Sequence, residues 1–168
     1  GDPDADHTYT PVVPGRVLDT RIVGGPLQPD VARIFEGYVP NFAVQGGASS
    51  DCGIPPSVPV LALNVYAVNP ANTGFIKVWA FGTAEPAVST VNSQVGITAI
   101  ATGTLVPVDR LSGNRFVAKS PTVVDFVADV VGYFRSPGPV SGDVTSVTAG
   151  PGLTGGGTSG DITIAADT

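Results

Sequence analysis

The chain has 168 residues, a formal net charge of −6, only 13% charged residues, and 22 Gly against 16 Pro. So acidic and sparsely charged a surface lacks the basic patch that nucleic acid, an anionic membrane or a sulfated polysaccharide would need. No apolar run reaches the roughly 18 residues of a membrane-spanning helix. Gly or Pro interrupts every candidate helical period, so the expected class is all-β.

Residues 1–8 read as a tether or remnant, with His7 among acidic and polar neighbours that offer it no ligand partners. The opening GDPDADHTYTP has no signal-peptide character, so an excised or processed fragment is expected, its export signal elsewhere. Residues 9–135 read as an antiparallel β-sandwich head, jelly-roll-like, built from short strands at regular spacing. In PVVPGRVLDTRIV, residues 11–23, Arg16, Asp19 and Arg21 crowd a short apolar segment. A carboxylate between two guanidiniums makes a good bidentate ion pair, which can be a structural cluster or a ligand contact. Residues 24–57 are loop-like at both ends, and VARIFEGYVPNFAV between them offers one or two short strands. Pro55, Pro56 and Pro59 then end regular pairing.

Residues 58–82 predict a hairpin, VLALNVYAV and FIKVWAF joined by the Pro/Asn/Gly turn NPANTG. Alternation puts Leu61, Leu63, Val65 and Ala67 with Ile76, Val78 and Ala80 on a core face. The opposite face carries Asn64, Tyr66, Phe75, Lys77, Trp79 and Phe81. A symmetric loop places Trp79 opposite Asn64 and Lys77 opposite Tyr66. Aromatic rings beside amide and ammonium groups are what a sugar needs, so Trp79, Tyr66, Lys77 and Asn64 are the candidate ligand face. Subunit packing is the competing use of that face.

Residues 83–121 read as further short strands, with ITAIATGTLVPV and RFVAKS joined by a turn at Leu111-Ser112-Gly113-Asn114. The final strand TVVDFVADVVGYF turns Val124, Phe126, Ala128 and Val130 to the core and Asp125, Val127, Asp129 and Val131 outward. Asp125 and Asp129 then stand about 13 Å apart along the strand, too far for the roughly 5–9.5 Å of a glycosidase pair. Residues 136–142 are a Pro/Gly linker.

Residues 143–168 have a different character. The segment GDVTSVTAGPGLTGGGTSGDITIAAD has no aromatic residue and few apolar ones. One copy cannot bury enough surface to offset the entropy of ordering so much glycine. Yet DVTSV and DITIA are rich in β-branched residues and Ile162 alternates with Ile164, as strands do. Three copies meeting on an axis would bury Val147, Leu153, Ile162 and Ile164, making this a short trimeric β shaft element.

Two resemblances follow from quoted stretches. AGPGLTGGGTSGDITIAAD resembles the glycine-rich connectors of trimeric bacteriophage tail fibres and related bacterial surface fibres. PGRVLDTR at Pro14–Arg21, DCGIP at Asp51–Pro55, LNV at Leu63–Val65, VWAFG at Val78–Gly82 and VVGYF at Val130–Phe134 resemble a domain of secreted bacterial proteins without an assigned activity, in its order and spacing. That family has a second cysteine where this chain has Gly15. The resemblance therefore implies a missing bridge and Cys52, the one cysteine, as a free, buried thiol.

Other chemistry is thin. GPGLTG satisfies a GxGxxG pattern, but GGTSGD after it cannot start the helix a phosphate site needs. Cys52 and His7 are too far apart in sequence to suggest a nucleophile pair. Calcium on Asp51, Asp129 or the Asn69/Asn72 loop lacks EF-hand spacing. No catalytic residue, metal or cofactor is assigned. The expected function is a homotrimeric fibre or adhesin head on a bacterial or phage surface appendage, extracellular, binding an envelope or host glycan. The alternative is a structural knob or spacer without its own ligand; a fibre-borne depolymerase is the third reading.

Overall fold

The computed structural model describes residues 7–109, 113–135, 146–158 and 161–167. The chain divides into two units, Gly1–Ser136 and Pro137–Thr168.

In the first unit the described strands are β1 (Thr8–Asp19), β2 (Arg33–Phe35), β3 (Val60–Val68), β4 (Gly74–Ala80), β5 (Val91–Ser93), β6 (Ala99–Pro107), β7 (Phe116–Lys119) and β8 (Asp125–Arg135). They form two four-stranded antiparallel sheets, ordered β1-β8-β3-β6 and β2-β7-β4-β5. This is a β-sandwich with jelly-roll strand order: every connection but β4 to β5 passes from one sheet to the other. Period-2 alternation decides what fills it. Leu61, Leu63, Val65 and Ala67 of β3 and Phe126, Ala128 and Val130 of β8 are buried against Phe35, Ile76, Phe116 and Ala118 of the second sheet. Phe35 ties the layers together, its ring 5.8 Å from that of Phe116 and 5.5 Å from that of Phe126.

The hairpin expected at residues 58–82 does not form. β3 pairs with β6 and β8, whereas β4 pairs with β5 and β7. The inward face of β3 is buried as expected, and on β4 Ile76 is buried, Val78 packs against the core and Ala80 stays outside it, but the two strands belong to opposite layers. Facing each other across the core buries both apolar faces at once, and each strand takes its hydrogen-bond partners from later in the chain. The connecting loop is held accordingly: Asn69 N–H donates to Thr98 O at 2.8 Å and Ala71 N–H to Val123 O at 2.9 Å. β6 and β7 likewise lie in different sheets. Of the turn expected between them, Leu111 and Ser112 lie outside the described residues, and Gly113 and Asn114 are left-handed. VARIFEGYVPNFAV supplies one strand, β2, and then a one-turn 3-10 helix, Phe42–Gln45, capped by the Asn41 side chain on Ala43 N–H. Residues 1–6 of the tether and the 136–142 linker lie outside the described residues.

The second unit is a three-stranded antiparallel sheet of β9 (Val147–Thr148), β10 (Leu153–Gly157) and β11 (Ile164–Ala166), ordered β11-β10-β9. The strands expected at DVTSV and DITIA are shifted to β9 and β11, with Asp143 to Thr145 outside the described residues. The glycine run, read from sequence as connector, is instead the central strand. Gly155 and Gly156 take φ of +110° and +118° there, which side chains resist. Leu153 lies opposite Ala166, Gly155 opposite Ile164, and Gly157 opposite Val147. Ile162 packs beside Gly157. By alternation along β11, Leu153 and Ile164 share a side, and Val147 and Ile162 both stand at Gly157. No described residue of this unit is buried, and Leu153 and Ile164 are 48% and 38% exposed.

Candidate functional site

The ion-pair cluster sits where β1 ends beside β8. Asp19 is only 1% exposed and its carboxylate is saturated with donors. Arg21 Nε and backbone N–H donate to Oδ1 at 2.8 and 3.1 Å, and Arg21 and Arg16 guanidinium groups donate to Oδ2 at 2.6 and 2.8 Å. Arg16 also forks onto both oxygens of Asp129. One guanidinium therefore bridges two carboxylates, and the four charges cancel. Hydrogen bonds from Arg21 outweigh the opposing effect of burial and hold the Asp19 carboxyl below the usual aspartate range. Arg16 is raised first by its hydrogen bond to Asp129.

The cluster is built from behind by the 3-10 helix. Gln45 Nε2 donates to Val17 O at 2.9 Å and to Glu36 O at 2.8 Å. Gly46 bridges Leu18. Its φ of +86° and its closeness to the Asp19 backbone leave no room for a side chain. Gln45 Oε1 accepts from Glu36 N–H at 3.1 Å. Gln45 carried no signal in the sequence, because its role is to satisfy three backbone groups that only the fold brings together.

Register then adds two residues of the expected ligand face to this cluster. Asp129 pairs with Arg16 on one side and Asn64 on the other, and Asn64 pairs with Gly103. Val127 lies between Asp19 and Tyr66 in the next row. The Tyr66 phenol is pushed up by burial and then by the Asp129 charge. Asn64 overhangs Gly103 beside a shallow depression of about 510 Å³ that Leu105 and Val131 also line. Among the described residues the Asn64 side-chain amide takes no hydrogen bond, so its donors and acceptor are available. Gly103 was passed over in the sequence, although a glycine inside a strand is a sign of close approach.

Trp79 and Lys77 are elsewhere. Trp79 lies opposite Val117 and Lys77 opposite Lys119, on the second sheet. The expected pairing of Trp79 with Asn64 and of Lys77 with Tyr66 is thereby corrected; the sheet-crossing connection separates them. Lys77 is also engaged, because Glu85 binds it at 2.8 Å and Lys119 at 2.9 Å. Trp79 lines a second groove, about 530 Å³, between the Gly82–Thr90 loop and Thr104, Leu105 and Pro107. No charged side chain lines this groove. Three of its hydroxyls are engaged: Thr83 donates to Ala80 O, Ser89 to Asn92 Oδ1, and Thr90 accepts from Val78 N–H.

Asp125, the other outward carboxylate of β8, accepts from Thr20 Oγ1 at 3.1 Å, and Thr20 accepts from Phe126 N–H. Cys52 is free but only half-buried, not buried as expected, and that partial burial pushes its thiol up. Among the described residues no group of three or more His, Cys, Asp or Glu could hold a metal ion. None of their helices is long and apolar enough to cross a membrane. No protein-family model matches the chain, and neither does any curated protein or solved structure.

Proposed function

We propose that the chain is the head and first shaft element of a homotrimeric fibre or adhesin on a bacterial or phage surface appendage. The supporting observation is the second unit, in which no described residue is buried and Leu153 and Ile164 stand exposed on one side. Two further copies around an axis would cover it. The glycan contact is the outer face of the β1-β8-β3-β6 sheet. There the Asn64 amide lines a depression, and strand register sets the forked Arg16–Asp129 pair beside it and Tyr66 in the next row, the mix that sugar rings and hydroxyls require. The Trp79 groove has no such mix. The protein needs neither cofactor nor catalytic residue for this role, and its acidic balance keeps it from nucleic acid.

Light scattering on the full chain should give about three times the 16.9 kDa chain mass, or a multiple of that, and Leu153→Asp with Ile164→Asp should cut it about threefold. A mass unchanged by these acids overturns the fibre reading. On a glycan array, Asn64→Ala and Tyr66→Ala should weaken binding by about tenfold, while Trp79→Ala should leave it intact. A second reading, a knob without its own ligand, is favoured by the fact that Arg16, Asp19, Arg21 and Asp129 already satisfy one another. A glycan array blank for the parent assembly would support it. A depolymerase is disfavoured, since Asp19 and Asp129 are tied to arginines and Asp125 to Thr20.

A further inference from the structure

The four edges of the sandwich are unequally protected. β2 and β5 are three residues each. β1 is long but carries Pro11 and Pro14 and breaks register twice against β8. Short length, proline and bulges are the usual ways of blunting an edge. β6 has none of them along its run. It extends over nine residues, Ala99–Pro107, in unbroken register with β3, its one partner among the described strands. It contains no charged residue, its one proline is terminal, and most of it is exposed. Its outward Leu105 is 58% exposed, and Ile97 just ahead of it is 44% exposed. An uncharged edge some 30 Å long presents a row of unpaired backbone donors and acceptors.

We propose that β6 pairs with β6 of a second copy, antiparallel about a twofold axis at Gly103, making one continuous sheet across two heads. The sequence of the strand fits itself in this register. Thr102 meets Thr104, Ala101 meets Leu105, and Ile100 meets Val106. These are hydroxyl with hydroxyl and aliphatic with aliphatic, the cross-strand pairs that stabilise a sheet, with no like charges opposed. Ile100 already packs against the core and Val106 belongs to it, so the pairing continues the inner layer from one copy into the next. Outside, Leu105 of each copy lies over Ala101 of the other. Gly103 on the axis has no side chain to obstruct the approach. A twofold of this kind is independent of the threefold shaft and doubles whatever assembly the second unit makes.

The test is the mass of the full chain by light scattering at tens of micromolar, in three forms. Ala101→Lys with Leu105→Lys opposes like charges twice across the axis and should halve the mass. Ala101→Lys with Leu105→Glu opposes unlike charges and should restore it. Both positions are exposed, and a circular dichroism spectrum matching the parent confirms the fold. If the shaft reading also holds, the parent has about six chains and the Lys/Lys variant about three; if it fails, about two and one. A parent with an odd number of chains overturns the twofold without any variant. A Lys/Lys variant that keeps the parent mass overturns it as well.

Discussion

Both units are built from strands that contain β-branched residues, yet only the first closes a core. The head buries valines, leucines and phenylalanines from both sheets in a single core. The shaft has β-branched residues at comparable strand positions, and none of its described residues is buried. The difference is the number of layers. A sheet can bury one face only against another layer, and the head supplies its own second sheet. The second unit has one small sheet with glycine at its centre, and its described residues supply no second layer. β-Propensity sets strand against coil in both regions; whether a fold is self-sufficient depends on whether both layers are in the same chain.

This contrast can be broken most severely from the head side. Phe126→Ala removes the ring that packs on Phe35 from the opposite sheet, and should cost roughly 3–5 kcal/mol of head stability. Urea melts followed by Trp79 fluorescence would read it. A small loss would mean that the sandwich core is less shared between the layers than its burial implies.

Next in size is Asp19→Ala, at about 3 kcal/mol, the low end for a broken buried charge cluster, because Arg16 and Arg21 can reach water. The same carboxylate predicts a pH dependence. Its folded pKa is depressed, so its contribution is present above the ordinary aspartate value of about 3.9 and is lost as pH falls through the lower folded value. Melting temperatures from pH 5 to 2 should show this acid loss in the parent and less of it in Asp19→Asn. Identical acid profiles would assign the loss to other carboxylates.

Gly15→Cys sharpens the comparison in the other direction. A Cβ built at Gly15 stands 3.0 Å from the Cβ of Cys52, slightly inside the roughly 3.8 Å of a relaxed disulfide. A few tenths of an ångström of movement should let the bridge close, and it should add about 2–3 kcal/mol, reversible by reductant. Two titratable thiols in the oxidised variant would show that the strands cannot yield. The smallest effect is expected of Glu85→Gln. It releases Lys77 and Lys119 at the surface, and the melting temperature should barely move, since solvent and salt screen such pairs.

Much of the head could be read from its residues. Alternation identified the core faces of β3 and β8, because one side of each strand is continuously apolar, although Val127, expected outward, is also buried. The Arg16/Asp19/Arg21 cluster was legible because its members are close in sequence, so local geometry brings them together. Asp129 joins them from 113 residues away through the fork from Arg16, and nothing local announces that. The division into a globular stretch and a glycine-rich stretch was also a matter of composition.

Strand partnership was decided only by the tertiary structure. Side-chain period reports which face of a strand is apolar, and it says nothing about which strand lies alongside. In a jelly roll nearly every connection crosses the core, so neighbours in sequence become opponents across it. That single fact moved Trp79 and Lys77 away from Tyr66 and Asn64, and brought Asn64 to Gly103 and to the Arg16–Asp129 pair. It also left β6 at an edge, paired among the described strands with β3 alone. Burial is a local property of a residue and its alternation, whereas a binding face and an open edge are properties of the pairing of distant strands.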